Sequence, residues 1–130
     1  MNADSKHIRP TEAELEILKV LWENGPSTVR LVNERLNEKK KVGYTTTLKI
    51  MQIMIDKQIL TRKKKGKTHI YKPILKENET QSLLIDKLLK IAFGGSASKL
   101  VMQTLGDRKT SKEELQKIKD LIANLEEEQK

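Results

Sequence analysis

Cysteine is absent from this chain of 130 residues, which excludes disulfide bridges and thiolate metal sites. Histidine occurs only at His7 and His69, too few and too scattered for a metal centre. Aromatics are scarce as well, with one Phe, one Trp and two Tyr, so a core must come from Leu, Ile and Val packed between helices. No apolar run approaches the roughly 20 residues that a spanning helix needs, and Met1–Arg9 is too polar for a secretory signal. The expected location is the cytoplasm. Constellations for catalysis are missing too. No serine belongs to a recognisable Ser/His/Asp set, and Gly94-Gly95 is not followed by the Lys-Ser/Thr pair of a phosphate loop. Glu126, Glu127 and Glu128 are consecutive, and consecutive helix positions point apart. These absences predict a chain that is not an enzyme and takes no cofactor or metal.

Positive charge is what the sequence has in excess, and its location is informative. Residues 1–75 hold 16 Lys and Arg against 8 Asp and Glu, whereas residues 76–130 hold 10 of each. The whole net charge of +8 therefore sits in the first part. It is densest in "ILTRKKKGKTHIYKP", Ile59–Pro73, and no acidic residue occurs between Lys57 and Lys76. Crowded like charges repel, so such a stretch costs stability unless an anion meets it. The asymmetry predicts an N-terminal domain, 1–75, for a polyanion and a C-terminal domain, 76–130, with a different role.

Periodicity supplies the elements. Thr11–Glu23 reads as a helix: Thr11 and Glu14 form a capping box, and Leu15, Leu18, Leu21 and Trp22 share a face. Asn24-Gly25-Pro26 ends it. Ser27 or Thr28 caps a short second helix running to Leu36, with Val29, Val32 and Leu36 inward. The polar run Asn37–Lys41 interrupts the pattern, and a third helix is expected from Tyr44 to Lys57 on Leu48, Met51 and Ile55. The period then shortens, which predicts strands over Leu60–Lys65 and Lys67–Ile74 joined at Gly66. Further helices are expected at Lys76–Phe93, at Lys99–Leu105 and after Ser111, where Glu114 suggests a second capping box. The fold class predicted is mainly α with a small β-hairpin, a winged helix-turn-helix followed by a helical domain.

The third helix carries a polar stripe, Thr45, Lys49, Gln52 and Asp56, opposite its apolar face, with Thr46 and Thr47 beside its start. Glutamine can bond an adenine edge twice and a threonine methyl can meet that of thymine, while first-turn amides suit a phosphate. An ordinary solvated face would look the same in isolation. The basic hairpin that follows tips the reading towards duplex DNA, because neutralised phosphates release counterions. The candidate contact set is Thr28, Tyr44, Thr45, Thr46, Thr47, Lys49, Gln52, Arg62, Lys63, Lys64, Lys65 and Lys67. In the second part, Leu84, Leu88 and Ile91, then Leu100, Val101 and Leu105, and finally Leu115, Ile118, Ile122 and Leu125 recur at helical spacing. Fifty-five residues with a single aromatic can hardly bury a core of their own. These apolar positions are therefore expected to form a homodimer, whose two-fold axis would match an inverted repeat.

Three stretches carry a family resemblance: "TEAELEILKVLWENGPST", "VGYTTTLKIMQIMIDKQILTRKKKGKTHIYKP" and "FGGSASKLVMQTL". With the helices between them they cover the chain from Thr11 to Leu125, and they resemble the BlaI/MecI/CopY group of penicillinase-type repressors. The distinctive features are Glu14 with Leu18 and Trp22, Gly43-Tyr44-Thr45-Thr46, and a wing ending in Tyr71-x-Pro73. The resemblance implies a homodimer that binds an inverted-repeat operator in double-stranded DNA and represses transcription, with Tyr44–Lys57 as recognition helix. For antibiotic-responsive members it also implies a membrane sensor metalloprotease pathway that leads to cutting at an Asn-Phe bond. The aligned pair here is Gln103-Thr104, so that bond is not present. The Cys-x-Cys pairs of copper-responsive members are missing with the cysteines. The alternative function is a winged-helix protein-interaction or RNA-binding module. The polar, threonine-rich start of the third helix argues for DNA, whereas Ile50, Ile53 and Met54 make that helix more apolar than one buried face requires.

Overall fold

A computed structural model describes residues 9–130; Met1–Ile8, with His7 and most of the stretch read as too polar for a signal, lie outside the described residues. The elements are α1 (Glu12–Asn24), α2 (Val29–Asn37), α3 (Tyr44–Asp56), β1 (Leu60–Lys65), β2 (Thr68–Pro73), α4 (Glu77–Ala92), α5 (Ala97–Asp107) and α6 (Lys112–Glu128). They fall into two compact units, one through Asp86 and one from Lys87 to Lys130. The predicted class, helices plus one two-stranded hairpin, is the class observed.

In the first unit, α1 starts as its residues dictate. Thr11 Oγ1 accepts from the Glu14 N–H at 3.2 Å, and Glu14 Oε1 accepts from the Thr11 N–H at 2.9 Å, which completes the capping box. Gly25, at φ 81°, closes the helix with its N–H on the Leu21 carbonyl. Leu18 and Leu21 are buried as expected, while Leu15 and Trp22 are half-buried and Ile17 joins the core instead. The stripe shifts because α1 packs against α2, α3 and β2 together, not against one neighbour. Thr28 is the cap of α2, accepting from the Leu31 N–H at 3.1 Å. Ser27 instead exchanges backbone hydrogen bonds with Tyr71 at 3.0 and 2.8 Å, a one-residue bridge to β2.

The core consists of Ile17, Leu18, Leu21, Val29, Val32, Met51, Met54, Ile59, Leu60, Tyr71 and Leu75. On α3 the buried side chains are Thr47, Met51 and Met54, with Leu48 and Ile55 half-buried. Met54 and half-buried Ile50 are thereby accounted for, and Ile53 stays 40% exposed. The end of α3 is a Schellman turn: Ile59 N–H reaches the Met54 carbonyl at 2.9 Å and Gln58 N–H reaches that of Ile55 at 3.0 Å. Gln58, at φ 63°, takes the left-handed position where glycine is usual. The hairpin pairs Leu60 with Pro73 through Lys65 with Thr68, leaving Gly66-Lys67 as its loop. Gly66, at φ 64°, sits where a type II′ turn takes glycine.

In the second unit Gly94 (φ 56°) and Gly95 (φ 82°) separate α4 from α5. Ser96 caps α5 through a bond from the Lys99 N–H, and Ser111 caps α6 through one from the Glu114 N–H at 3.1 Å. The second capping box is half-formed, because Glu114 does not return a bond to the Ser111 N–H. Neither α5 nor α6 contains a buried residue.

Candidate nucleic-acid interface

The third helix presents two very different sides. Thr45, Thr46, Lys49, Gln52 and Asp56 are all exposed, and Tyr44 is 50% exposed at the first position. Thr47 is not with them. It is fully buried, its hydroxyl accepting from Asn33 Nδ2 at 2.8 Å and lying 3.4 Å from the Gly43 carbonyl. The expectation that Thr47 makes a contact is therefore corrected: at four residues before Met51 it shares the inward face, and it holds α3 to α2. No side chain caps α3, whose N-cap is Gly43.

The hairpin divides its cations between two faces. Strand side chains alternate, so Arg62, Lys64, His69 and buried Tyr71 share the face of Leu60, and Lys63, Lys65, Ile70 and Lys72 share the other. Arg62 Nη1 lies 3.4 Å from the Tyr71 hydroxyl, and the His69 and Tyr71 rings meet edge-on at 6.5 Å. Ion pairs among the described residues are Arg35–Glu38, Lys57–Glu14 and Lys130–Glu127. Among the described residues, then, Arg62, Lys63, Lys64, Lys65 and Lys67 all stand in solvent without a carboxylate partner.

A cleft of about 760 Å³ joins these parts, lined by Thr28, Val29, Arg30, Asn33 and Glu34 of the α2 region, Tyr44 and Leu48 of α3, and Lys67, Thr68, His69 and Tyr71 of the hairpin. It gathers Thr28, Tyr44 and Lys67 from the expected set. Arg62, Lys63, Lys64 and Lys65 line a separate hollow of about 610 Å³ with Pro26, Thr61, Ile70 and Lys72. Sequence reasoning missed Arg30 and Glu34 in the first cleft and Lys72 in the second. It also passed over Lys39, Lys40 and Lys41, all exposed in the connection before α3. The run of three lysines was a readable signal; Arg30 was not, because only the packing of α2 against α3 and β2 brings it to the cleft.

Of the expected dimer positions, Leu84, Leu100, Leu105 and Ile118 are half-buried within the chain, while Leu88, Ile91, Val101, Leu115, Ile122 and Leu125 are exposed. Met102, at 73%, is more exposed than any of these.

A tri-helical unit with a basic hairpin, a third helix polar on its exposed side and an open cleft between helices and hairpin is a winged helix-turn-helix, the build of a transcriptional regulator. The penicillinase repressor family profile matches residues 10–124, and the chain belongs to that family. It is accordingly a transcriptional repressor and not an enzyme. It is 28% identical over 94 residues to the transcriptional regulator BlaI of Mycobacterium tuberculosis, covering 71% of this chain and 68% of that one. With the penicillinase repressor of Bacillus licheniformis it shares 22% identity over 112 residues, 86% of this chain and 88% of the relative. Among solved structures, a MarR family protein from Bacillus stearothermophilus superposes with a TM-score of 0.53 at 16% identity, over 95% of this chain and 77% of that chain. At that identity the likeness concerns the fold. No helix among the described residues is long and apolar enough to cross a membrane.

Proposed function

We propose that the protein is a homodimeric cytoplasmic repressor that binds an inverted-repeat operator, with α3 in the major groove and the hairpin on the phosphate backbone. The observation that carries this reading is the cleft between the starts of α2 and α3 and the tip of the hairpin. Arg30, Tyr44 and Lys67 line it, Thr45, Lys49 and Gln52 are exposed on the same helix as Tyr44, and no cation is paired among the described residues of the hairpin. Thr45, Thr46, Lys49 and Gln52 offer the hydroxyl, amide and ammonium groups that read base edges. Arg62, Lys63, Lys64, Lys65 and Lys67 neutralise phosphates without reading sequence.

The dimer rests on apolar surface. Of the twelve large hydrophobics that are exposed among the described residues, nine lie from Ile85 onward, on α4, α5 and α6. A helix pair with no buried residue gains little by folding alone, and a second copy covers those side chains. Division of labour at 1–75 and 76–130 follows from this reading, with α4 linking the two parts. A signal from a membrane sensor pathway that separated the dimer would release DNA without touching α3. Gln103 and Thr104 sit inside α5, where Thr104 Oγ1 donates to the Leu100 carbonyl at 2.7 Å, so α5 must open before a protease reaches that bond.

The test is selection of bound sites from a random duplex pool by the full chain. An inverted repeat with half-sites about 10 base pairs apart, or a multiple of that, is the expected result. Recovery of sequences without a repeat, or preference for single-stranded RNA over every duplex, would overturn the proposal.

A further inference from the structure

The connection 38–43 between α2 and α3 is exposed or half-exposed at every residue, and nothing caps α3 with a side chain. A recognition helix on such a joint should wander, yet two asparagines of α2 tie it down. Asn37 treats Val42 as a neighbouring strand would: its Oδ1 accepts from the Val42 N–H at 3.1 Å and its Nδ2 donates to the Val42 carbonyl at 2.9 Å. The remaining Nδ2 proton goes to the Asn33 carbonyl at 2.7 Å. Asn33 Nδ2 donates to the same Val42 carbonyl at 3.1 Å and to the buried Thr47 hydroxyl at 2.8 Å. Both amide nitrogens are thereby saturated, and the turn and the first turn of α3 are fixed to α2.

We infer that Asn33 and Asn37 are positioning residues for sequence discrimination: through Val42 and Thr47 they set the angle at which α3 presents Thr45, Thr46 and Gln52. The inference rests on the proposal that α3 reads bases. Its physical basis is the unequal tolerance of the two kinds of contact. Paired hydrogen bonds to a base edge fail when the donor is misplaced by about 0.5 Å or tilted by about 10–20°. A lysine on a four-carbon stem follows a phosphate through such a shift, since it acts as a mobile point charge. Loosening the joint therefore degrades specific binding and spares non-specific binding. Asn33 itself lines the cleft that Tyr44 and Arg30 share, so the tie lies beside the surface it orients.

The experiment measures binding of the full chain to its selected site and to an unrelated duplex over a range of salt. Asn33→Ala and Asn37→Ala should each lower the ratio of specific to non-specific affinity about tenfold, the loss of one good base contact. The slope of log K against log salt on the unrelated duplex should not change, because no phosphate contact is removed. Thr47→Val should behave like Asn33→Ala, and Thr47→Ser, which keeps the hydroxyl, should restore the ratio. Amide exchange at Val42 gives a readout independent of DNA: it should accelerate in Asn37→Ala. Specific and non-specific affinities that fall in parallel would overturn the inference, as would an unchanged ratio beside faster Val42 exchange. A wild-type chain that preferred no duplex sequence would overturn both this inference and the reading beneath it.

Discussion

The carboxylate of Glu14 and the ammonium of Lys57 meet at 2.8 Å, joining the start of α1 to the end of α3 across 43 residues of sequence. Glu14 is 3% exposed, and its second oxygen is committed to the Thr11 N–H. One side chain therefore closes a capping box and pins the end of α3.

Burial by itself would push the Glu14 carboxyl up, but the hydrogen bonds and charge of Lys57, with the bonds from Thr11, hold it below the ordinary glutamate value. A carboxylate lowered in the folded state stabilises above its unfolded pKa, about 4.3, and loses that contribution as pH falls through the folded pKa. Glu14→Gln should cost about 1–2 kcal/mol at neutral pH. The gap from the native chain should close as the pH falls below about 4. Urea denaturation at several pH values checks this, and a gap that stays constant down to about pH 3 would contradict it. Lys57→Met should cost less, about 0.5–1 kcal/mol, since the Lys57 side chain is 43% exposed and its charge is screened.

Gln58 occupies a left-handed position at φ 63° that an L side chain enters at a cost of about 1–2 kcal/mol. Both neighbours in the Schellman turn, Met54 and Ile59, are fully buried, so the turn itself cannot relax. Gln58→Gly should stabilise the chain by about 0.5–1 kcal/mol, part of the gain being returned as glycine entropy in the unfolded chain. Gln58→Val should destabilise it. Thermal unfolding distinguishes the two signs.

Salt dependence separates the hairpin from α3. With about 6–10 phosphates neutralised by a dimer, log K should fall against log salt with a slope of roughly −5 to −9. Lys64→Ala and Lys65→Ala, on opposite faces of the hairpin, should each reduce that slope by about one per lost contact and weaken all duplexes alike. Gln52→Ala should instead relax preference at one base pair by about 1–3 kcal/mol. Hairpin variants that altered base preference while Gln52→Ala did not would show the docking to be inverted.

Ile122 and Leu125 are 50% and 47% exposed and neither is buried, so changing them disturbs the chain's own packing less than changing a core residue would. Ile122→Asp with Leu125→Asp should give monomers in analytical ultracentrifugation. Operator affinity should then fall by about 10²–10⁴, the advantage a second tethered contact confers. A dimer that persisted, or a monomer that bound the full repeat undiminished, would place the source of affinity elsewhere.

Local chemistry made much of this protein readable from its residues. Thr11 with Glu14, Gly25 before Pro26, and Gly66 between alternating strands each act within a few residues, so element type and order follow from them. The net charge confined to residues 1–75 and the side of α3 that carries Lys49 and Gln52 are likewise properties of short stretches, and the family motifs lie along them. Contacts between distant residues were not readable. Thr47 lies in phase with Met51, four residues on, but that Asn33 from α2 meets its hydroxyl could not be read from the residues. Ser27 and Thr28 are equally good caps by type; pairing of Ser27 with Tyr71 decides between them. Arg30 belongs to the cleft because α2 leans on α3 and β2. Glu14 reaches Lys57 because three helices close on one core. Sequence alone set which residues could cap, turn, bury or carry charge, since those properties depend on the residue and its nearest neighbours. Tertiary structure alone chose which side chains meet, because burial and hydrogen-bond distance depend on how separated segments pack.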